Sequence, residues 1–142
     1  MPELHTTIMG VSLYFSMLAR SLFLNFDNGI SVLGSVSNET PTTSILLRIP
    51  NGHFTENSAK AGLTSLTAAM MNEATKNYSS EQMSKALQKL GSSISFSAGN
   101  MYTSVFVSSL TKNLDQTIEL LNEKLFNPVF KEADFERIKA NQ

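Results

Sequence analysis

The sequence predicts an α+β fold: a mostly antiparallel sheet covered by helices on one side. Three observations carry this expectation. Hydrophobic residues make up 42% of the 142 positions and charged residues 16%, the balance of a chain that buries a core. Apolar residues at nearly every second position form two pairs of runs, 30–36 with 42–49 and 94–98 with 102–110. Between and after those pairs the apolar period becomes helical. The order is therefore β-β-α-α-β-β-α-α, which calls for a sheet layered against helices.

Residues 8–24 are mostly apolar, but Arg20 interrupts them and Ser12, Ser16 and Ser21 dilute them. A spanning helix needs about 20 apolar residues without a charge, and a secretory signal needs a basic start. The opening Met1-Pro2-Glu3-Leu4-His5 lacks that start. Residues 1–25 are read as a linker or packing segment, with a degenerate signal or anchor as the alternative, and residues 26–142 as the domain.

Asp27-Asn28-Gly29 is a turn signal, because Asn and Gly tolerate positive φ. The strand that follows is broken by Asn38-Glu39-Thr40-Pro41, and the β-branched run at 42–49 is closed by Pro50-Asn51-Gly52. Leu63, Leu66, Thr67, Met70, Met71 and Ala74 then recur at helical spacing, predicting a helix over 62–75 with that face inward. Ser79-Ser80-Glu81-Gln82 reads as a capping box opening a second helix, with Met83, Ala86, Leu87 and Leu90 inward and Gly91 as its stop. Ile94, Phe96 and Ala98 alternate with Ser93, Ser95 and Ser97, a strand with one wet face that turns at Gly99-Asn100 into its return. Asn113 is placed to cap a helix with Leu114, Ile118, Leu121 and Leu125 on one face, and Pro128 stops it. A last helix begins at Glu132 with Phe135 and Ile138 inward.

Several function classes are excluded by composition. The net charge is −1 and the 11 Lys and Arg residues are scattered, so no basic stripe offers itself to nucleic acid. The chain has no cysteine, which removes disulfides, thiolate metal sites and cysteine nucleophiles together. Its glycines fall in separate turns and build no phosphate cradle.

The candidate site residues have bland readings. His5 and His53 have no second ligand at helical or turn spacing and read as surface or loop histidines. Glu56 precedes a helix, where a carboxylate meets helix amides. Glu73 reads as a solvated charge. Met70, Met71 and Met83 read as core filler. Ser65 has no His and Asp partners in view and so does not read as a nucleophile.

Taken in register, several segments resemble the insulinase/pitrilysin-type zinc peptidases. They are Asn28-Gly29-Ile30-Ser31-Val32, Glu39-Thr40-Pro41, Gly52-His53-Phe54-Thr55-Glu56 and Lys60-Ala61-Gly62-Leu63. The helix after Gly62, Leu90-Gly91-Ser92-Ser93-Ile94 and Leu125-Phe126-Asn127-Pro128-Val129-Phe130 continue the likeness. In the family's active domain, Gly-Leu-Ala leads into His-x-x-Glu-His, two imidazoles on one helix face with a carboxylate base beside the metal-bound water. Aligned on Gly62-Leu63-Thr64, Ser65 stands at the first His, Ala68 at the Glu and Ala69 at the second His. The family's third ligand, a downstream Glu, would fall near or beyond Gln142.

The resemblance implies a partial, non-catalytic peptidase domain, with residues 1–25 as a connector from a preceding domain. It implies that this chain holds no metal or cofactor and that zinc belongs to a homologous active domain of the parent, a zinc metalloendopeptidase. The chain then helps form a substrate chamber, supports the zinc-bearing domain and contacts extended peptide, without catalysing alone. Two other readings stay open: a non-peptidase assembly subunit of the same fold, and a module that binds peptide by strand addition. A truncated sheet implies self-association in isolation. Family analogy places the parent in the periplasm.

Overall fold

In the computed structural model, residues 20–36 and 39–140 are described. The chain divides into two compact units, 1–40 and 41–142.

The first unit contains an antiparallel hairpin of β1 (Arg20–Asn25) and β2 (Ser31–Val36), in register from Arg20 opposite Val36 to Asn25 opposite Ser31. The turn signal does form the turn. Gly29 takes φ 86° and its amide donates to the Phe26 carbonyl, while Asn28 Oδ1 accepts from the Ile30 amide at 3.1 Å. Strand β1 lies in the stretch that the sequence assigned to a linker. Its apolar residues do not alternate, so nothing in its period announced a strand; the tight turn that returns the chain along it does. Residues 1–19, and with them His5 and the signal or anchor alternative, lie outside the described residues. Among the described residues no helix is long and apolar enough to cross a membrane.

The second unit is a three-stranded antiparallel sheet, order β3-β5-β4, with four α-helices. Strand β3 is Thr42–Ile49, β4 is Ser93–Ala98 and β5 is Thr103–Leu110. The 94–98 and 102–110 runs form the expected hairpin, Ala98 opposite Thr103. The other expected pair does not form: β2 pairs with β1, while β3 crosses over to pair with β5. The remaining elements are α1 (Leu63–Met71), α2 (Ser80–Leu90), α3 (Leu114–Phe126) and α4 (Glu132–Lys139).

Register fixes the two faces of this sheet. Ile94 and Phe96 from β4 and Val105 and Val107 from β5 point to the same side and pack with Ala68 of α1, Met83 and Leu87 of α2, and Leu120 and Leu121 of α3. The opposite face carries Ser44 beside Ser108 and Ser93, Leu46 beside Phe106 and Ser95, and Arg48 beside Ser104 and Ser97. This is the wet face the serine alternation predicted, and helices cover only the other one.

Two helix faces are rotated from the expected ones. On α1, Thr64, Ala68 and Met70 are buried while Leu63 and Thr67 are exposed. The helix LTSLTAAMM is apolar or small almost all round, so period alone could not orient it. On α3 the buried residues are Thr117, Leu120, Leu121 and Lys124, and Ile118 is exposed. Two polar residues hold core positions there because each has partners. Thr117 Oγ1 lies 2.7 Å from Ser92 Oγ and 2.9 Å from Ser109 Oγ, and those two hydroxyls are 2.9 Å apart. Asn113 does not cap α3 through its side chain; its Nδ2 donates to the Leu90 carbonyl at 2.8 Å and ties α3 to the end of α2.

Candidate functional site

The residues singled out by the sequence gather around α1. Its approach is a tight loop. Gly52 sits so close to the β4–β5 turn that a Cβ there would lie 2.5 Å from the Asn100 carbonyl oxygen. That closeness lets the His53 and Phe54 amides donate to the Gly99 and Asn100 carbonyls at 3.0 and 2.9 Å. A 3₁₀ turn (His53–Thr55) follows, then another (Ser58–Lys60) capped by Asn57, whose side chain accepts from the Ala59 amide.

Glu56, between those turns, is the N-terminal anchor of α1. Its Oε2 accepts from the Gly62 amide at 2.9 Å and its Oε1 from the Thr64 amide at 2.6 Å. Gly62, at the N-cap, takes φ 91° and has no side chain to cap with, so the loop carboxylate does it instead. The Thr64 hydroxyl and amide, then the Gly62 amide, hold the Glu56 carboxyl at about 2, with burial opposing and His53 adding a smaller pull. Helix stabilisation is the role the sequence expected for Glu56, and all of these donors are helix or loop groups.

His53, read as a loop histidine without a second metal ligand, lies in the loop as expected and sits between Glu56 and Ser65. Its Nδ1 is 3.6 Å from Glu56 Oε1, an ion-pair distance too long for a hydrogen bond, and its Nε2 is 3.4 Å from Ser65 Oγ. Twelve residues separate His53 from Ser65 in the sequence, and only the loop's fold-back closes that gap. Chemically this is a clamp of loop on helix. Glu56 Oε1 is already engaged by Thr64, and neither His53 nor Ser65 lines the neighbouring cleft.

Ser65, Ala68 and Ala69 all lie on α1. A hydroxyl and two methyls do not fit a zinc ion, which needs imidazole, thiolate or carboxylate donors. Among the described residues, no three His, Cys, Asp or Glu side chains come together to hold a metal.

The other end of α1 is fixed by groups that sequence reasoning missed. The helix stops at Met71, short of Thr75, because Asn72 turns its carboxamide onto β4: Nδ2 donates to the Phe96 carbonyl and Oδ1 accepts from the Phe96 amide, both at 2.9 Å. Lys124, only 2% exposed, donates to the Asn72 carbonyl at 2.9 Å and the Met71 carbonyl at 3.3 Å. Burial lowers its pKa, and Glu73 pushes the other way. Lys124 lies at i+7 from Thr117 and i+3 from Leu121, on the apolar stripe of α3; a lone lysine in that stripe was the available signal. Glu73 is no solvated charge. It pairs with Arg137 at 2.7 Å and accepts from Ser80 Oγ at 3.0 Å, joining the ends of α1, α2 and α4.

Beside α1 lies a cleft of about 380 Å³. Its apolar lining includes Ile49, Leu63, Ala68, Met71, Phe96 and Leu125, and its polar lining Asn51, Thr55, Asn57, Lys60, Thr67 and Thr103. Met70 and Met83 are buried as expected of core residues, and Met71, half-buried against the core, also lines this cleft.

A family model described as Insulinase (Peptidase family M16) matches residues 32–142. This chain belongs to the insulinase family, M16. No curated protein matches it significantly. Among solved structures, the M16 chain is similar to a peptidase M16 inactive domain from Pseudomonas fluorescens, with TM-score 0.78 and 22% identity, covering 86% of this chain and 30% of that one. It is also similar to a protease from Helicobacter pylori, with TM-score 0.69 and 22% identity, covering 84% of this chain and 29% of the other. The M16 chain therefore spans less than a third of either structure's length, and at this identity the likeness speaks to the fold. That fold is the mixed antiparallel-sheet and helix architecture of an M16 inactive domain, and this member lacks the zinc motif.

Proposed function

We propose that this chain is a non-catalytic part of an M16 peptidase that packs with a homologous zinc-bearing domain of its parent, helps enclose the substrate chamber and binds extended peptide there. The observation that carries this reading is helix α1. By the resemblance, Gly62-Leu63 matches the family's entry to its metal-bearing helix, and Ser65, Ala68 and Ala69, all on α1, stand at the positions of the active domain's metal ligands and base. The Glu56 carboxylate, locked to the Gly62 and Thr64 amides, is not available as a substitute base. Such a helix retains the architecture of a peptidase domain without its chemistry, which suits a chain that shapes a chamber while the zinc sits elsewhere.

The test is reconstitution. Co-expressed with the parent's zinc-bearing domain, this chain is expected to co-purify with it, peptide cleavage should require both pieces, and metal analysis should find zinc only with the other piece. Stoichiometric zinc and peptide cleavage by this chain alone would overturn the proposal.

A further inference from the structure

The cleft beside α1 has a mostly apolar wall and carries two charged residues, Glu56 and Lys60. They are not equivalent. Both oxygens of Glu56 are taken by the amides of Gly62 and Thr64, so its charge is already satisfied by the helix. Lys60 is an exposed residue of the lining, and no ion pair holds it among the described residues. The backbone fixes its position: the Lys60 amide donates to the Asn57 carbonyl at 2.7 Å and closes the second 3₁₀ turn. At about 380 Å³ the cleft is at the small end of ligand sites, which run roughly 300–1,000 Å³, so it has room for one large side chain with its own backbone and not for a folded segment.

An apolar pocket of one-residue size with one uncommitted cation in its lining matches a ligand whose apolar group and anion are a few bonds apart. We propose that the cleft binds the C-terminal residue of a peptide, its apolar side chain against Leu63, Met71 and Phe96 and its free carboxylate toward Lys60. This rests on the reading above only in taking peptide as the ligand class, and it names the peptide end that the chain would hold. An internal residue brings no carboxylate of its own, and a peptide N-terminus brings a cation that Lys60 repels.

Fluorescence polarisation with the 142-residue chain and short peptides labelled at the N-terminus tests this. A peptide ending in Phe or Leu as the free acid should bind saturably. Its C-terminal amide should bind about three- to fivefold more weakly, the size of an exposed ion pair, and high salt should erase that difference. Replacing the last residue by Gly should cost about ten- to a hundredfold, the value of burying one large apolar side chain. Lys60→Met should make acid and amide equal, and Thr67→Phe, which adds bulk to the lining, should weaken both. Equal binding of acid and amide to the unaltered chain, indifference to the last side chain, or no saturable binding at millimolar peptide would overturn the assignment. None of these outcomes depends on the zinc-bearing domain, so failure here leaves reconstitution to be judged on its own result.

Discussion

At the scale of single residues, the neighbourhood of α1 is set by two groups that cannot be exchanged for near relatives. Gly52→Ala places a methyl 2.5 Å from a carbonyl oxygen of the β4–β5 turn, so one backbone segment must move. Overpacking of this kind costs about 1–3 kcal/mol, and urea unfolding should show that loss. Glu56 is the second such group. Its carboxyl is held at about 2, below its ordinary 4.5, so it contributes stability that is complete above pH 4.5 and is lost as pH falls toward 2. Glu73 and Glu123 are lowered too: burial opposes in both, but Arg137 and Ser80 outweigh it at Glu73, and Thr75, Asn77 and Asn127 do so at Glu123. Wild-type stability should therefore fall between pH 5 and pH 2.5. Glu56→Gln should be less stable at pH 6 and should lose less over the same interval; an unchanged pH slope in the variant would refute the assignment. Glu56 was legible in the sequence because a carboxylate before a helix has one common use. Its links to His53 and Ser65 were not, since a loop fold-back leaves no periodic trace.

At the scale of elements, what could be read depended on whether an element's boundary is written in its own residues. Helix α2 is the clear case. Ser79 Oγ accepts from the Gln82 amide at 3.2 Å, Gln82 Oε1 accepts from the Ser79 amide at 2.9 Å, and Gly91 ends the helix at φ 60°. Each of those residues announces its role by type and spacing. Ser79→Ala should cost about 1 kcal/mol, and Ser79→Asp should recover most of it in thermal unfolding. Helix α1 is the contrary case, since its end is imposed by distant partners. Asn72 joins it to the backbone of Phe96, and Lys124 donates to its last carbonyls. The Asn72 carboxamide also occupies the middle of the β4 edge, where an added strand would pair, so strand addition at that edge is blocked in the folded chain. Asn72→Ala leaves the Phe96 amide and carbonyl without their partner and should destabilise by about 1–3 kcal/mol. Hydrogen exchange should localise the change to the Phe96 amide, whereas protection equal to wild type would mean that the contact does not hold the edge.

At the scale of the whole molecule, the chain leaves more apolar surface uncovered than its second unit requires. The helix-covered face of the β3-β5-β4 sheet was legible from alternating serines, and its core is closed. The hairpin is different. Leu22, Phe23, Leu24, Val32, Leu33 and Val36 are all exposed, Leu33 at 78% and Phe23 at 64%, and both strands are free of charge from position 22 through 36 except at the turn residue Asp27. Two-stranded ribbons are marginal alone, and uncharged apolar edges pair with whatever strand they meet. Phe23 lies directly opposite Leu33, so the two side chains share one face. The isolated chain is therefore expected to self-associate through this hairpin. Sedimentation equilibrium should show a weight-average mass that rises with concentration, and the Phe23→Lys, Leu33→Lys double variant should remain a monomer. A wild-type chain that stays monomeric at high concentration, or a double variant that associates as strongly as wild type, would show that the apolar ribbon is not an unsatisfied interface.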